Sequence, residues 1–133
     1  MEVSDPNNPN RDAILNSPCF DLSSISNAEV NFQFQMTGNA VGTIRLEVRE
    51  DGSNTWTEIW NRSGAQGTAW QAANVDLSAY NGTIQLRFNG TSGNSWQGDI
   101  AIDDFQLEGG ETPDTQAPST PANLTATIVT TTT

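Results

Sequence analysis

The chain has no histidine and no lysine in 133 residues, and a single cysteine. Without His it lacks the side chain that most often acts as a general base near neutral pH, and the commonest zinc ligand. Ser–His and Cys–His nucleophile pairs are therefore excluded within the sequence. Cys19 cannot close an internal disulfide. Set in Asn16-Ser17-Pro18-Cys19-Phe20, it reads as a buried small hydrophobe, with pairing to a cysteine elsewhere as the alternative. No His or Lys stands ready to turn it into a reactive thiol. No apolar run approaches the roughly 20 residues a membrane helix needs, so no membrane insertion is expected. The residues after Met1 are Glu, Val, Ser and Asp, not a basic and then apolar leader. Met1 thus reads as an internal residue of a longer protein or the start of an excised piece. Positive charge is scarce as well: five Arg stand against sixteen acids, for a net charge of −11. Such a chain repels polyanions, and no nucleic-acid partner is expected.

What is present is alternation. Val30, Phe32, Phe34 and Met36 alternate with Asn31, Gln33 and Gln35; Ile44, Leu46 and Val48 alternate with Arg45, Glu47 and Arg49. The period is two throughout, and helical spacing appears nowhere. Residues 56–60, 70–77, 83–88 and 100–107 read as further strands. Gly38-Asn39, Asp51-Gly52 and Tyr80-Asn81-Gly82 supply turn signals between strands. Strands about ten residues apart predict a monomeric, all-β, antiparallel β-sandwich of jelly-roll type. Its predicted core is Val30, Phe32, Phe34, Ile44, Leu46, Val48, Ile84, Leu86 and Phe88. That domain occupies residues 1–108; 109–117 is polar, Pro-rich linker, and 118–133 turns apolar again.

Six pieces follow one another in an order that carries a resemblance. They are Ala13-Ile14-Leu15-Asn16-Ser17-Pro18, residues 30–38, residues 42–48, Ile59-Trp60-Asn61-Arg62-Ser63-Gly64, Gln66-Gly67-Thr68-Ala69-Trp70, and Gly98-Asp99-Ile100-Ala101-Ile102-Asp103-Asp104. Together they resemble the MAM domain, an extracellular module of meprins, neuropilins and receptor tyrosine phosphatases that also occurs in secreted bacterial proteins. Against that family the opening third is missing, which leaves edge strands to be paired or exposed. The repeated cysteines of animal members are absent except for Cys19. Residues 118–133 resemble the start of a fibronectin type III domain, so covalently linked neighbouring domains are expected. The linker style and the Asn/Thr richness suggest a bacterial secreted protein. Asn61, Asn81, Asn89 and Asn123 begin Asn-x-Ser/Thr sequons, which are used only in a eukaryotic secretory host. The resemblance implies a non-catalytic module, and it makes Trp60 and Trp70 core residues.

Three groups of residues are candidates for binding. Asp103 and Asp104, with Asp99, offer hard oxygen ligands for Ca2+. Neighbouring residues of a regular strand point to opposite faces, so both reach one ion only at a bulge. The parity switch from Ile100 and Ile102 to Phe105 and Leu107 predicts such a bulge. The alternative is that the carboxylates merely bond loop N–H groups at the strand end. Trp96 and Trp56 are placed to stack on a sugar ring, or else to fold back as loop anchors. Gln33, Gln35, Arg45, Arg87 and Gln85 form a single amide and guanidinium face if their strands are neighbours. The first functional expectation is a polysaccharide-recognition module that targets an attached enzyme. The second is a protein interaction or adhesion module, attached to a secreted metalloprotease; the third is a spacer.

Overall fold

The computed structural model describes residues 9–111. Seven strands follow in order: β1 Asp12–Asp21, β2 Ile25–Gly38, β3 Thr43–Glu50, β4 Thr57–Ser63, β5 Gln71–Asp76, β6 Thr83–Thr91 and β7 Gly98–Glu111. No helix among the described residues is long and apolar enough to cross a membrane. The strands form two antiparallel sheets, one of four strands in the order β1-β6-β3-β4 and one of three in the order β5-β2-β7. Alternation explains why they stack. Each central strand carries apolar residues on one side only, and two such sides close on each other as a sandwich. All nine predicted core residues are buried, joined by Leu22, Met36, Leu77 and Ile100.

Phe32 stands at the centre. Its ring meets Trp60 edge-on at 4.9 Å and Phe88 at 5.0 Å, linking the two sheets. Trp60 reaches it because β4 carries a bulge: Leu46 pairs with Trp60 and Glu47 with Glu58, so Ile59 is the extra residue. The Trp60 ring therefore packs on the core, as expected. Trp70 does not. Ala73 and Val75 of β5 are buried, so the even-numbered positions before and within β5 face outward, and Trp70 is 47% exposed.

Cys19 is a second correction: it is exposed. The register of β1 on β6 shifts between Asn16 and Cys19. Pro18 has no N–H for the ladder, and the Ser17 side chain takes over a ladder role by accepting the Leu86 N–H at 3.0 Å. Beyond that irregularity Cys19 pairs with Gln85, whose neighbours Ile84 and Leu86 are the buried ones. The thiol is thus on the outer face and Phe20 on the inner.

Two strand ends use one device that alternation does not reveal. Asp21-Leu22-Ser23 follows β1 and Asp76-Leu77-Ser78 follows β5. In each, the Asp carboxylate accepts the backbone N–H two residues on (3.0 Å at Ser23, 2.8 Å at Ser78) together with that serine's hydroxyl. The turn drives the intervening Leu into the core, at 1% and 0% exposure. The Ser23 hydroxyl and then its N–H hold Asp21 below the usual carboxylate range; at Asp76 the Ser78 N–H leads and the hydroxyl follows.

β7 continues past the expected boundary at 108, because Gly110 and Glu111 still pair with Ser26 and Ile25. Residues 112–117 of the expected linker, the fibronectin-like 118–133 and the Asn123 sequon lie outside the described residues. Of the other sequons, Asn61 and Asn81 are exposed and Asn89 is not.

Candidate functional site

The amide and guanidinium residues do not share one face. β3 and β6 are neighbours, so Arg45, Glu47 and Arg49 stand beside Gln85, Arg87 and Asn89 on the outside of the four-stranded sheet. Gln33 and Gln35 belong to β2 in the other sheet, and they face outward on the opposite side of the sandwich. Strand adjacency is a long-range property that alternation leaves open.

The outside of the four-stranded sheet is a closed network. Arg87 donates from Nε to Glu47 Oε1 at 2.8 Å, and Arg49 donates to Gln85 Oε1 at 2.6 Å. Trp56 lies under both guanidinium groups, at 4.2 Å from Arg87 and 4.9 Å from Arg49. It is half-buried there, so it acts as an anchor with its ring already engaged by cations. Arg45 bridges to Glu58 at 3.4 Å. The Glu47 side chain keeps only 12% of its exposure. Burial pushes its carboxyl up, but hydrogen bonds from Arg87 and Asn89 and the charges of Arg87 and Arg45 outweigh it, and the net shift is downward.

Trp96 is 52% exposed in the loop between β6 and β7. That loop follows Thr91, which pairs with Thr43 at the start of β3; Trp56 precedes Thr57, which pairs with Val48. Five residues of strand separate the two levels, about 17 Å. Trp96 and Trp56 thus do not sit over a single sugar ring. On the other sheet, Gln35 is turned to the Thr68 carbonyl at 2.6 Å.

The predicted bulge in β7 is present. Asn31 pairs with Gln106 and Gln33 with Asp103, so Asp104 and Phe105 oppose Phe32 alone. Asp104 takes a φ of 53°, a left-handed conformation that Asp tolerates better than most residues. Asp103 accepts the Asp104 N–H at 2.8 Å, and Asp104 accepts from Gln106 Nε2 at 2.9 Å. Asp99 is four residues of strand away from Asp103, about 13 Å. The three carboxylates do not converge, and no group of three His, Cys, Asp or Glu capable of holding a metal occurs among the described residues. The Ca2+ expectation narrows to Asp103 and Asp104, both exposed and both already holding local bonds.

The feature that sequence reading missed lies along the β1 and β7 edges. Leu15 pairs with Phe88 and so faces inward, yet it is 64% exposed. Sheet order explains this: among the described residues the three-stranded sheet ends at β7 and places no strand opposite β1. A groove of about 400 Å³ remains, walled by Leu15, Phe20, Leu86, Phe88, Ile102 and Phe105, with Asp103 and Asp104 on its rim. A second hollow of about 280 Å³ shares Leu15, Phe88 and Ile102 with it. Two sequence signals bear on it: the apolar character of Ala13-Ile14-Leu15, and the shortfall against the MAM pattern, which leaves edge strands to be paired or exposed.

At the far end, the loops after β2 and β6 pack backbone on backbone. The Ala40 N–H donates to the Gln97 carbonyl at 2.8 Å, and a Cβ added at Gly93 would run into the Ala40 carbonyl. A family profile described as "MAM domain, meprin/A5/mu" matches residues 1–112. The chain is 37% identical over 114 residues to MAM domain-containing glycosylphosphatidylinositol anchor protein 1 of Homo sapiens, and 35% identical over 114 residues to its Gallus gallus counterpart. Each alignment covers 85% of this chain and 12% of the relative. Neuropilin-1 of Xenopus laevis is 33% identical over 106 residues, covering 77% of this chain and 11% of that protein. The chain therefore spans about an eighth of the length of the curated relatives it matches, and these animal proteins lend no support to a bacterial source. With the all-antiparallel sandwich, the profile match across all of the described residues and the relatives above, the chain belongs to the MAM family.

Proposed function

We propose that the domain is a non-catalytic, extracellular protein-recognition module within a longer protein. One observation carries this reading: among the described residues an apolar groove lies open between β1 and β7. Exposed apolar surface of this kind marks interaction sites. Extracellular placement is supported by the relatives named as glycosylphosphatidylinositol anchor proteins. The reading assigns no chemistry to the groove, whose walls are mainly aliphatic and aromatic carbon.

Polysaccharide recognition is the second reading. Trp96, half exposed on its loop, favours it; the other candidate residues are divided between two faces or engaged with one another. A tetramerised form of the domain, applied to a panel of cell-surface ectodomains and to a glycan array, separates the two. Protein recognition requires an ectodomain that still binds after enzymatic deglycosylation. Binding confined to glycans and lost in Trp96→Ala at unchanged melting temperature would transfer the function to the polysaccharide reading.

A further inference from the structure

The network outside the four-stranded sheet is closed in hydrogen bonds but not in charge. Arg45 pairs with Glu58 at 3.4 Å and Arg87 with Glu47 at 2.8 Å. Arg49, on the same face, forms no ion pair among the described residues, and its Nη2 donates to the neutral Gln85 amide at 2.6 Å. Glu50 and Asp51 follow it directly in the chain, yet neither comes within ion-pair distance. The strand register sets a second cation beside Arg49 instead. Arg49 stands opposite Gln85 and Glu47 opposite Arg87, so Arg87 is the diagonal neighbour of Arg49, roughly 7–8 Å away between backbones.

Trp56 holds the two guanidinium groups in place, with its ring centre 4.2 Å from Arg87 and 4.9 Å from Arg49. Arg87 bonds Glu47 through Nε, and Arg49 bonds Gln85 through Nη2. A guanidinium has five N–H donors, so each keeps donors for a further acceptor. Both arginines are half-buried, neither sunk in the core nor loose in solvent. Two ordered cations side by side repel each other. A carboxylate between them removes that repulsion, and its planar pair of oxygens matches the guanidinium fork.

We propose that the outer face of β3 and β6 docks a partner protein, which places a Glu or Asp carboxylate on the forks of Arg49 and Arg87. This rests on the protein-recognition reading and assigns it a charged contact. Charge favours a lone carboxylate over a polyanion. A highly charged chain is repelled by a molecule of net charge −11 as a whole. A single carboxylate at contact meets the local excess of Arg over Glu. The acids of the other sheet lie about 10 Å or more behind it, which is roughly a Debye length at physiological salt.

The probe is the peptide acetyl-Thr-Tyr-Glu-Tyr-Thr-amide, with a control in which Gln replaces Glu. Each is titrated into the full chain and followed by NMR of the arginine Nε–H, tryptophan Nε1–H and backbone amide signals. The Glu peptide is expected to bind at least about tenfold more tightly than the Gln peptide, because charge-assisted hydrogen bonds are about twice as strong as neutral ones. That preference should shrink as salt rises. Shifts should centre on Arg49, Arg87 and Trp56. Arg49→Met keeps a long side chain over Trp56 and removes the charge. It should abolish the preference for Glu, while the melting temperature holds or rises because the repulsion is relieved. Arg62→Met, on the same sheet but over the Trp60 ring, should leave the preference intact. The proposal is overturned if the two peptides bind equally, if neither binds, or if the shifts lie elsewhere. A lower melting temperature in Arg49→Met with the Glu preference unchanged also overturns it, and makes Arg49 a structural prop for Trp56. A heparin-derived tetrasaccharide that binds these residues more tightly than the Glu peptide overturns it in favour of a sulfated glycan. A partner from the ectodomain panel that binds wild type and Arg49→Met alike would sink this proposal and leave the protein-recognition reading standing.

Discussion

The two long sides of the sandwich are built from the same kind of sequence and end in opposite states. On the β4 side, Trp60 lies edge-on to Phe32 at 4.9 Å and to Phe34 at 5.1 Å, and the Arg62 guanidinium sits 5.0 Å from the Trp60 ring centre. On the β1 side, Leu15 points the same way relative to its sheet but meets a groove. Both strands are edges of the four-stranded sheet. The difference is what stands opposite: β2 and β5 face the β4 side, while among the described residues the other sheet stops at β7 before it covers β1. An apolar residue facing inward is thus only a candidate for burial. Burial itself needs a second layer, and where the described residues supply none the apolar side chain stays exposed.

The comparison can be broken most forcefully on its closed side. Trp60→Ala should destabilise the domain by about 3–5 kcal/mol, because it removes a large packed ring and leaves a cavity against Phe32. Urea unfolding followed by fluorescence or circular dichroism checks this. A loss comparable to that of a surface change would mean that the two sides are equivalent and that the Trp60 contact is incidental.

A smaller effect belongs to the outer network between them. Glu47→Gln keeps the shape but removes the charge that Arg87 bonds, and should cost about 1–3 kcal/mol at neutral pH. The sign of the pH dependence follows from the downward shift of Glu47. A carboxyl lowered on folding stabilises above its unfolded value, near 4.3, and that contribution is lost as pH falls through the lower folded value. The gap between wild type and Glu47→Gln should therefore be widest near neutrality and close as pH drops below about 4. A gap that stays constant to pH 3 would show that the amide disturbs packing and that charge contributes nothing.

Legibility in the sequence followed the range of the interaction involved. Alternation is local, and it located all nine expected core residues. The bulge in β7 was equally readable, because the parity break between Ile102 and Phe105 is itself local. Parity misled at Cys19, where the Ser17-Pro18 irregularity turns the strand over, and at Trp70, which lies outside the inward register of β5. The repeated Asp-Leu-Ser corners were visible as letters, but their meaning depends on hydrogen bonds that only the folded turn shows. Strand adjacency was the least legible. Whether Gln33 stands beside Arg45 or on the far side of the sandwich depends on pairings between residues far apart in sequence, and so does the open groove.

The smallest expected effect is the sharpest test of the open side. Leu15→Ser exchanges an inward-facing leucine for a polar residue, which in a core would cost several kcal/mol. Here the side chain is already 64% exposed, so little apolar area returns to water on unfolding. β1 itself is held by backbone pairing to β6 and by the Ser17 contact with Leu86, neither of which involves the Leu15 side chain. The change should therefore stay within about 0.5 kcal/mol, as for an ordinary surface site. Set against Trp60→Ala on the same sheet, that ratio measures how much of the inward pattern is used for folding. If Leu15→Ser instead costs as much as a core substitution, the groove is filled in solution by part of this chain, and the open side is open only among the described residues.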